Sequence, residues 1–328
     1  MCSQNENKRV NLLLEFGKMR SKSGEELNDR TIIGYVNRIK RVMGILGKKI
    51  EGDIVELCDL VDYDNVIKRI EEADIKNKDI YYIVILRLLN HLDDVNYREI
   101  CDKYYYPMYL KHRALTEEVV NDNLAREDLA HKYMKAGDII ECIRGYNVVS
   151  GKGLILEREL LYKVITSFYF LNSSNYIPRG EIRLLKVVGN KEELKEDENY
   201  VILNSKGKAS HIILNRYKTY KTYGQQRIRI SEELKGVINL YLESVSHNVG
   251  DYLIMNKSRK EYNESNFSAL VSTSFLNVVG KGITTDMARH IQVSEFNSKL
   301  PSMNMRKKFA RICLNSVDNA NYYIKLDI

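Results

Sequence analysis

The feature that most constrains this chain is a change of hydrophobic period. Apolar residues recur at helical spacing on both sides of one interval, Glu181 to Ile230, where they alternate with polar and basic residues at strand spacing. Such an order excludes an all-helical bundle and an all-β sandwich, and it predicts an α+β fold. Ahead of the interval, Ile32, Ile33, Val36, Ile39 and Val42 are spaced to cover one helix face, and Val66 to Ile70 and Ile80 to Leu92 continue the pattern. About four short helices are expected between Glu25 and Ala114, after a basic, partly flexible lead-in over residues 1–24. At 328 residues the chain is long enough for two domains. The polar cluster Thr116-Glu117-Glu118 and Asn121-Asp122-Asn123 offers a helix cap and a junction, so the boundary is placed near 118. Residues 119–328 then read as helices over Glu127–Tyr146 and Glu157–Leu171. Strands follow over Glu181–Val188, Tyr200–Leu203, Ser210–Leu214 and Gln226–Ile230, with the acidic Glu192–Glu198 run as an exposed hairpin tip or loop. Helices return over Glu232–Val245, Asn263–Val279, Thr285–Leu300 and Met303–Tyr323. The expected architecture is a helical N-terminal domain followed by a mainly helical domain carrying a small antiparallel sheet.

Composition matters through what it excludes. The longest apolar candidate, Tyr81 to Leu92, is interrupted by Arg87, and the N-terminus lacks a signal-peptide pattern, so a soluble, intracellular protein with no membrane partner is expected. Cys2, Cys58, Cys101, Cys142 and Cys313 are scattered without a Cys-x-x-Cys pair, which suggests neither a zinc knuckle nor a disulfide framework. The absence of Trp beside 23 Tyr, with scarce Pro, is the bias of an AT-rich coding genome. Charge is segregated along the chain: residues 1–50 carry 11 Lys/Arg against 5 acids, residues 51–118 carry 9 against 16, and residues 119–328 carry 31 against 23. From Tyr200 to Ser231 there are seven Lys/Arg and no acid, which predicts a cationic β-hairpin suited to a polyanion.

Four motifs in the second half carry candidate chemistry. Tyr176-Ile177-Pro178-Arg179-Gly180-Glu181 lies between an apolar helix and a strand, where Arg179 can project a planar cation into a cleft and Glu181 can brace it; a surface turn with an ion pair is the plainer reading. Asn215 to Gly224 places Lys218 and Lys221 on a turn, where an ammonium can reach a phosphodiester and protonate a leaving oxygen; a solvated charged hairpin fits equally well. Thr284 to Ser294 reads as a capped helix with Asp286 and Arg289 at i and i+3 on one face, by default an ordinary ion pair, and with His290 rotated about 100° away. Near the C-terminus lie Asn315 and the pair Tyr322-Tyr323. A phenol with a pKa of about 10 becomes a nucleophile only beside cations or a base, and few tyrosines are nucleophiles.

In order and context, Arg179, Lys218 on a hairpin, the Arg289-His290 pair on a helix and a C-terminal Tyr resemble the tyrosine recombinase (phage integrase) family over nearly the whole chain. The resemblance implies a helical core-binding DNA-clamp domain over 1–118, with a basic N-terminal arm, and a catalytic domain over 119–328. It implies Arg179 and Arg289 as the phosphate clamp, Lys218, preferred to Lys221, as the proton donor, and Tyr323, preferred to Tyr322, as the nucleophile. The chain departs from the family pattern in three places. The Arg179-Gly180-Glu181 spacing is one residue short, Asp286 stands where a His usually precedes the second Arg, and Asn315 stands near the usual His or Trp. Asp286 would accept the Tyr proton or orient Arg289, and Asn315 would donate to phosphate without titrating.

The activity so implied is site-specific recombination or integration through a 3′-phosphotyrosyl intermediate, without metal or cofactor and with no small-molecule substrate. The expected partner is double-stranded DNA, bound by a homo-tetramer that uses surfaces other than the five residues after Tyr323, in a virus or mobile element. The alternatives are a catalytically reduced DNA-binding or DNA-processing factor on the same fold, and a type IB topoisomerase. No acidic metal cluster or aromatic RNA motif in the sequence favours a metal-dependent nuclease or an RNA-binding module.

Overall fold

The structure is a computed structural model that describes residues 8–21, 24–121, 133–148, 154–189, 194–245, 247–317 and 323–324. It divides into two compact units, Met1–Asp122 and Asn123–Ile328.

In the first unit the lead-in carries a strand and a helix between Arg9 and Lys18. Strand β1 (Arg9–Asn11) pairs antiparallel with β2 (Ile54–Glu56), and the helix Leu12–Lys18 buries Leu12 and Phe16 completely. Residues 1–7 and 22–23 of the partly flexible lead-in lie outside the described residues; within it Leu12 and Phe16, four residues apart, are a helical signal that its basic composition obscured. Asn28 caps the helix Asp29–Ile45 by accepting from the Thr31 amide at 2.9 Å, and Val36, Ile39, Val42 and Met43 form the buried stripe. Ile33 is 52% exposed, because neighbours 100° apart on a helix cannot share a narrow face with Ile32. The helix Asp79–His91 is buried over most of its circumference, against Asp29–Ile45 and a continuous helical run. That run comprises Val95–Ile100, a π turn at Cys101–Tyr105, and Tyr106–Asn121. It passes through residue 118, and the units divide one residue after its end.

The second unit is built around the helix Leu154–Phe170, which packs against Glu232–Ser244 and Glu264–Val279. Phe275 meets Phe170 edge-on at 5.7 Å and Tyr169 at 5.9 Å. Gly280 ends its helix in the left-handed region, φ +81°, which a residue without Cβ enters freely. Helices Ala136–Gly145, Thr285–Ser298 and Met303–Ile312 complete the unit. The Glu127 start expected for the first of these lies outside the described residues, and the last ends at Ile312, well short of Tyr323.

The sheet has the order β3 (Leu185–Gly189), β4 (Asn199–Leu203), β5 (Ala209–Leu214), β6 (Gln226–Arg229). Pairings β4–β5 and β5–β6 are antiparallel as expected, whereas β3–β4 is parallel, with Val187 opposite Val201. The parallel pairing overturns the hairpin-tip alternative for the acidic run and leaves the loop one, since the chain must return between β3 and β4. Nine intervening residues can span about 30 Å, well beyond the length of a five-residue strand. Glu198 faces Lys186 at 2.7 Å across that pairing. Residues 181–184, expected as strand, form a 3-10 turn. Alternation sorts the side chains: Val187, Val201, Ile212 and Leu214 join the helical core, while Val188, Tyr200, Ile202 and Ile213 cluster on the other face. Among the described residues no helix is long and apolar enough to cross a membrane. Phe275→Ala is expected to destabilise the protein by about 3–5 kcal/mol in urea unfolding, since a fully buried ring with two aromatic neighbours leaves a cavity; a cost below about 1 kcal/mol would contradict this packing.

Candidate active site

Thr284 caps the helix Thr285–Ser298, accepting from the Met287 amide at 3.3 Å. Because this helix is sunk into the unit, Met287, Ala288, Arg289, Ile291, Gln292, Val293 and Ser294 are all buried. Arg289 is the largest fully buried side chain. Its Nη1 donates to the Ile177 carbonyl and its Nη2 to the Cys313 carbonyl, both at 2.8 Å. The Nε–H is buried and has no acceptor among the described residues. A buried guanidinium is costly unless its donors are satisfied. Here two main-chain carbonyls offset part of that cost, one at each terminal nitrogen, and Nε is the guanidinium nitrogen left without an acceptor among the described residues.

Arg289 thereby ties together two segments that are remote in sequence. The first is the turn leading to Arg179. Tyr169 Oη donates to the Arg179 carbonyl at 2.5 Å, and the Glu181 carboxylate accepts from the Arg179 amide at 3.2 Å and from Tyr176 Oη. Glu181 thus braces Arg179 through its main chain, leaving the half-buried guanidinium side chain to other partners. The second segment follows the helix Met303–Ile312. There Leu314 adopts φ +49°, a sparsely populated conformation for a branched residue, and redirects the chain into Asn315. Thr219 Oγ1 donates to the Leu314 carbonyl at 2.9 Å, which fastens the turn bearing Lys218 to this same point. Lys218 itself is exposed, just before the short helix Tyr220–Tyr223.

The electrostatics agree with this clustering. Burial pushes the Cys313 thiol up to about 11, and the charges of Arg289 and Arg179 pull against that rise, so both cations act on one sulfur. Tyr323 lies with its ring 5.3 Å from the Arg289 guanidinium carbon and 5.0 Å from the His290 ring. Its carbonyl accepts from His290 Nδ1 at 2.9 Å and from Ser294 Oγ at 3.2 Å. Asn315 is buried and lines a cleft of about 390 Å3 with Thr222, Tyr223, Lys307, Arg311 and Ser316.

Around Ile177 and the stretch 313–315 the fold therefore gathers Arg179, Arg289, Asn315, Tyr323 and the turn of Lys218. Tyr322 lies outside the described residues. Asp286 is exposed in the first turn of its helix and makes no ion pair with Arg289. The default i, i+3 pair is corrected here: the arginine turns inward to carbonyl acceptors that outcompete a carboxylate left in water. Sequence reasoning missed Cys313 and the two carbonyls, which carry no sequence signal. It also missed Lys307 and Arg311, whose signal was a ten-residue helix with four cations and no acid. Glu56, Cys58 and Asp59, the one grouping with metal-ligand proximity among the described residues, belong to the first unit.

Iodoacetamide at pH 8 is expected to label Cys313 at least about 100-fold more slowly in the native protein than in urea, since a thiol titrating near 11 is about one part in a thousand ionised there. Native labelling at the rate of a free thiol would show that Cys313 is not enclosed.

No sequence-family profile and no curated protein sequence matches the chain. Solved structures do. The integrase of transposon Tn1549 in complex with a circular intermediate DNA aligns at 11% identity over 96% of this chain and 95% of that one, with a TM-score of 0.51. The same integrase with transposon right end DNA gives 12% identity, 96% and 94% coverage, and 0.50. XerA recombinase gives 15% identity, 96% and 93% coverage, and 0.39. With its helical units, its small four-stranded sheet and this end-to-end alignment, the chain has the tyrosine recombinase fold.

Proposed function

We propose that the protein is a DNA strand transferase that cuts and rejoins duplex DNA through a 3′-phosphotyrosyl bond, as a site-specific recombinase or integrase. The observation that carries this reading is the buried Arg289 guanidinium, whose Nε–H has no acceptor among the described residues, with Arg179 acting on the same thiol and a tyrosine ring laid over it. Two guanidinium groups suit the geometry of a phosphodiester and the added negative charge of its pentavalent transition state. For a phosphate oxygen to reach Nε–H, the Tyr323 ring leaves the guanidinium face. Its hydroxyl then attacks phosphorus as the phenol proton passes to water, the bond to the 5′ oxygen breaks, and Lys218 supplies a proton to that oxygen and is reprotonated from solvent. The reverse attack by a 5′ hydroxyl regenerates the phenol, so the energy of the phosphodiester is conserved. Asn315 can donate a hydrogen bond to phosphate. Residues 1–118 act as the DNA clamp, 119–328 as the catalytic domain, and four copies assemble on paired sites.

A second reading is a DNA-binding factor with reduced chemistry. It is favoured by the exposed, unpaired Asp286 and by Asn315, which cannot titrate. A nicked suicide duplex separates the two. The strand-transfer reading expects a covalent protein–DNA adduct that Tyr323→Phe abolishes and Tyr322→Phe leaves, whereas the other expects binding without adduct. Relaxation of supercoils without site preference would instead mark a topoisomerase.

Lys218→Ala is expected to lower the cleavage rate about 100-fold or more, with recovery on a substrate whose leaving oxygen is replaced by sulfur, because a thiolate needs no proton. Lys221→Ala is expected to leave the rate within about threefold. The opposite pattern would move the proton donor to Lys221.

A further inference from the structure

The first unit holds a tyrosine pair that strand transfer does not employ. We infer that Tyr63 and Tyr104 form an oxidative cross-linking site, at which a small one-electron oxidant joins the two rings through the carbons beside their hydroxyls, as dityrosine. The inference stands independently of the strand-transfer reading.

Ring geometry makes the first argument. The two rings lie 3.5 Å apart, centroid to centroid, with planes only 12° from parallel. Aromatic pairs prefer offset or edge-on arrangements with centroids about 4.5–7 Å apart, because two ring faces repel. A sandwich needs something to hold it, and here the Tyr63 hydroxyl donates to the Tyr104 hydroxyl. Parallel rings with their hydroxyls together are superposed end to end, so the carbons ortho to each hydroxyl face one another. Those carbons carry much of the unpaired electron when a phenol is oxidised, and holding them together favours a bond between them. The stacked Phe296–Phe309 pair, at 3.9 Å, has no hydroxyl and cannot react in this way.

The local fold makes the second argument. Tyr104 lies in the π turn Cys101–Tyr105, a rare insertion in a helical run that is frequent at functional positions. Its neighbour Tyr105 is fully buried and donates to the Leu60 carbonyl, just ahead of the helix Tyr63–Glu72, so the turn and that helix are held in register. Tyr104 is thereby left half-buried against a half-buried Tyr63, where a small molecule reaches both rings. Hydrogen bonds from Tyr63 and from the Lys103 ammonium hold the Tyr104 phenol below its ordinary pKa, and a phenolate gives up an electron more readily than a phenol. Exposed Asp62 and Asp64 flank Tyr63, and residues 51–118 carry 16 acids against 9 cations, which favours approach of a cationic oxidant.

In the reaction each phenol loses one electron to the oxidant and its phenolic proton to water. The two phenoxyl radicals pair to form one carbon–carbon bond, and the hydrogen on each joined carbon passes through solvent to restore a phenol. The net change is two electrons to two equivalents of oxidant and two protons to water. As the rings regain aromaticity they swing edge to edge, which half-buried surface side chains permit.

The test is photo-oxidation of the full-length protein with tris(bipyridyl)ruthenium and persulfate, followed by digestion and mass spectrometry of linked peptides. Among 23 tyrosines, the Tyr63–Tyr104 link is expected to exceed every other tyrosine pair by about tenfold or more. The competitors include Tyr106–Tyr109, at 6.1 Å, and Tyr217–Tyr220, at 5.9 Å. Tyr63→Phe and Tyr104→Phe keep the rings and are each expected to abolish the link, whereas Tyr106→Phe leaves it; thermal melts check that the fold is kept. In urea the preference is expected to disappear. Absence of the link, a yield spread evenly over tyrosine pairs, a preference that survives urea, or coupling of Tyr63 mainly to a second copy of the chain overturns the inference.

Discussion

The second unit depends on one buried cation. Arg289 has no exposed surface, and its two terminal nitrogens are spent on the carbonyls of Ile177 and Cys313. Those bonds do structural work, because they join a turn after one helix to a turn after another, 136 residues further on. They also fix the plane of the guanidinium. With both terminal nitrogens pinned the plane cannot turn, so the Nε–H keeps a fixed direction. The same contacts that hold the fold together therefore orient a charge-assisted donor ahead of any ligand, and that is preorganisation.

Around this cation the supporting groups act on main chain more than on side chain. Glu181 holds the Arg179 amide, Tyr169 holds the Arg179 carbonyl, Thr219 holds the Leu314 carbonyl, and His290 with Ser294 holds the Tyr323 carbonyl. Each fixes where a backbone passes and leaves the functional end of the neighbouring side chain uncommitted. The left-handed conformation of Leu314 fits this pattern, with local strain held at the point where the segments converge.

Much of this was legible in the sequence, for identifiable reasons. The switch from helical to alternate spacing located the sheet, and Thr284 or Thr285 was legible as the cap of a helix that Thr284 in fact caps. The motifs around Arg179, Lys218, Arg289 and Tyr323 pointed to segments that the fold brings near one another. What was illegible depended on tertiary choices. Periodicity does not distinguish parallel from antiparallel pairing, so β3–β4 was missed. An i, i+3 spacing permits the Asp286–Arg289 pair but cannot weigh it against the Ile177 and Cys313 carbonyls. The short helix in the lead-in went unread because its charge masked Leu12 and Phe16, which have only one turn in which to show a pattern.

The central claim is that Arg289 holds a spare donor for a phosphate oxygen beneath the Tyr323 ring. The most direct measurement is the NMR signal of the Arg289 Nε–H group in 15N-labelled protein, assigned by its disappearance in Arg289→Lys, before and after addition of a nicked duplex. The account predicts a downfield shift of the proton and slowed solvent exchange as the oxygen arrives, together with loss of the ring-current contribution from Tyr323. An Nε–H resonance that stays unchanged while the duplex is demonstrably bound would contradict it.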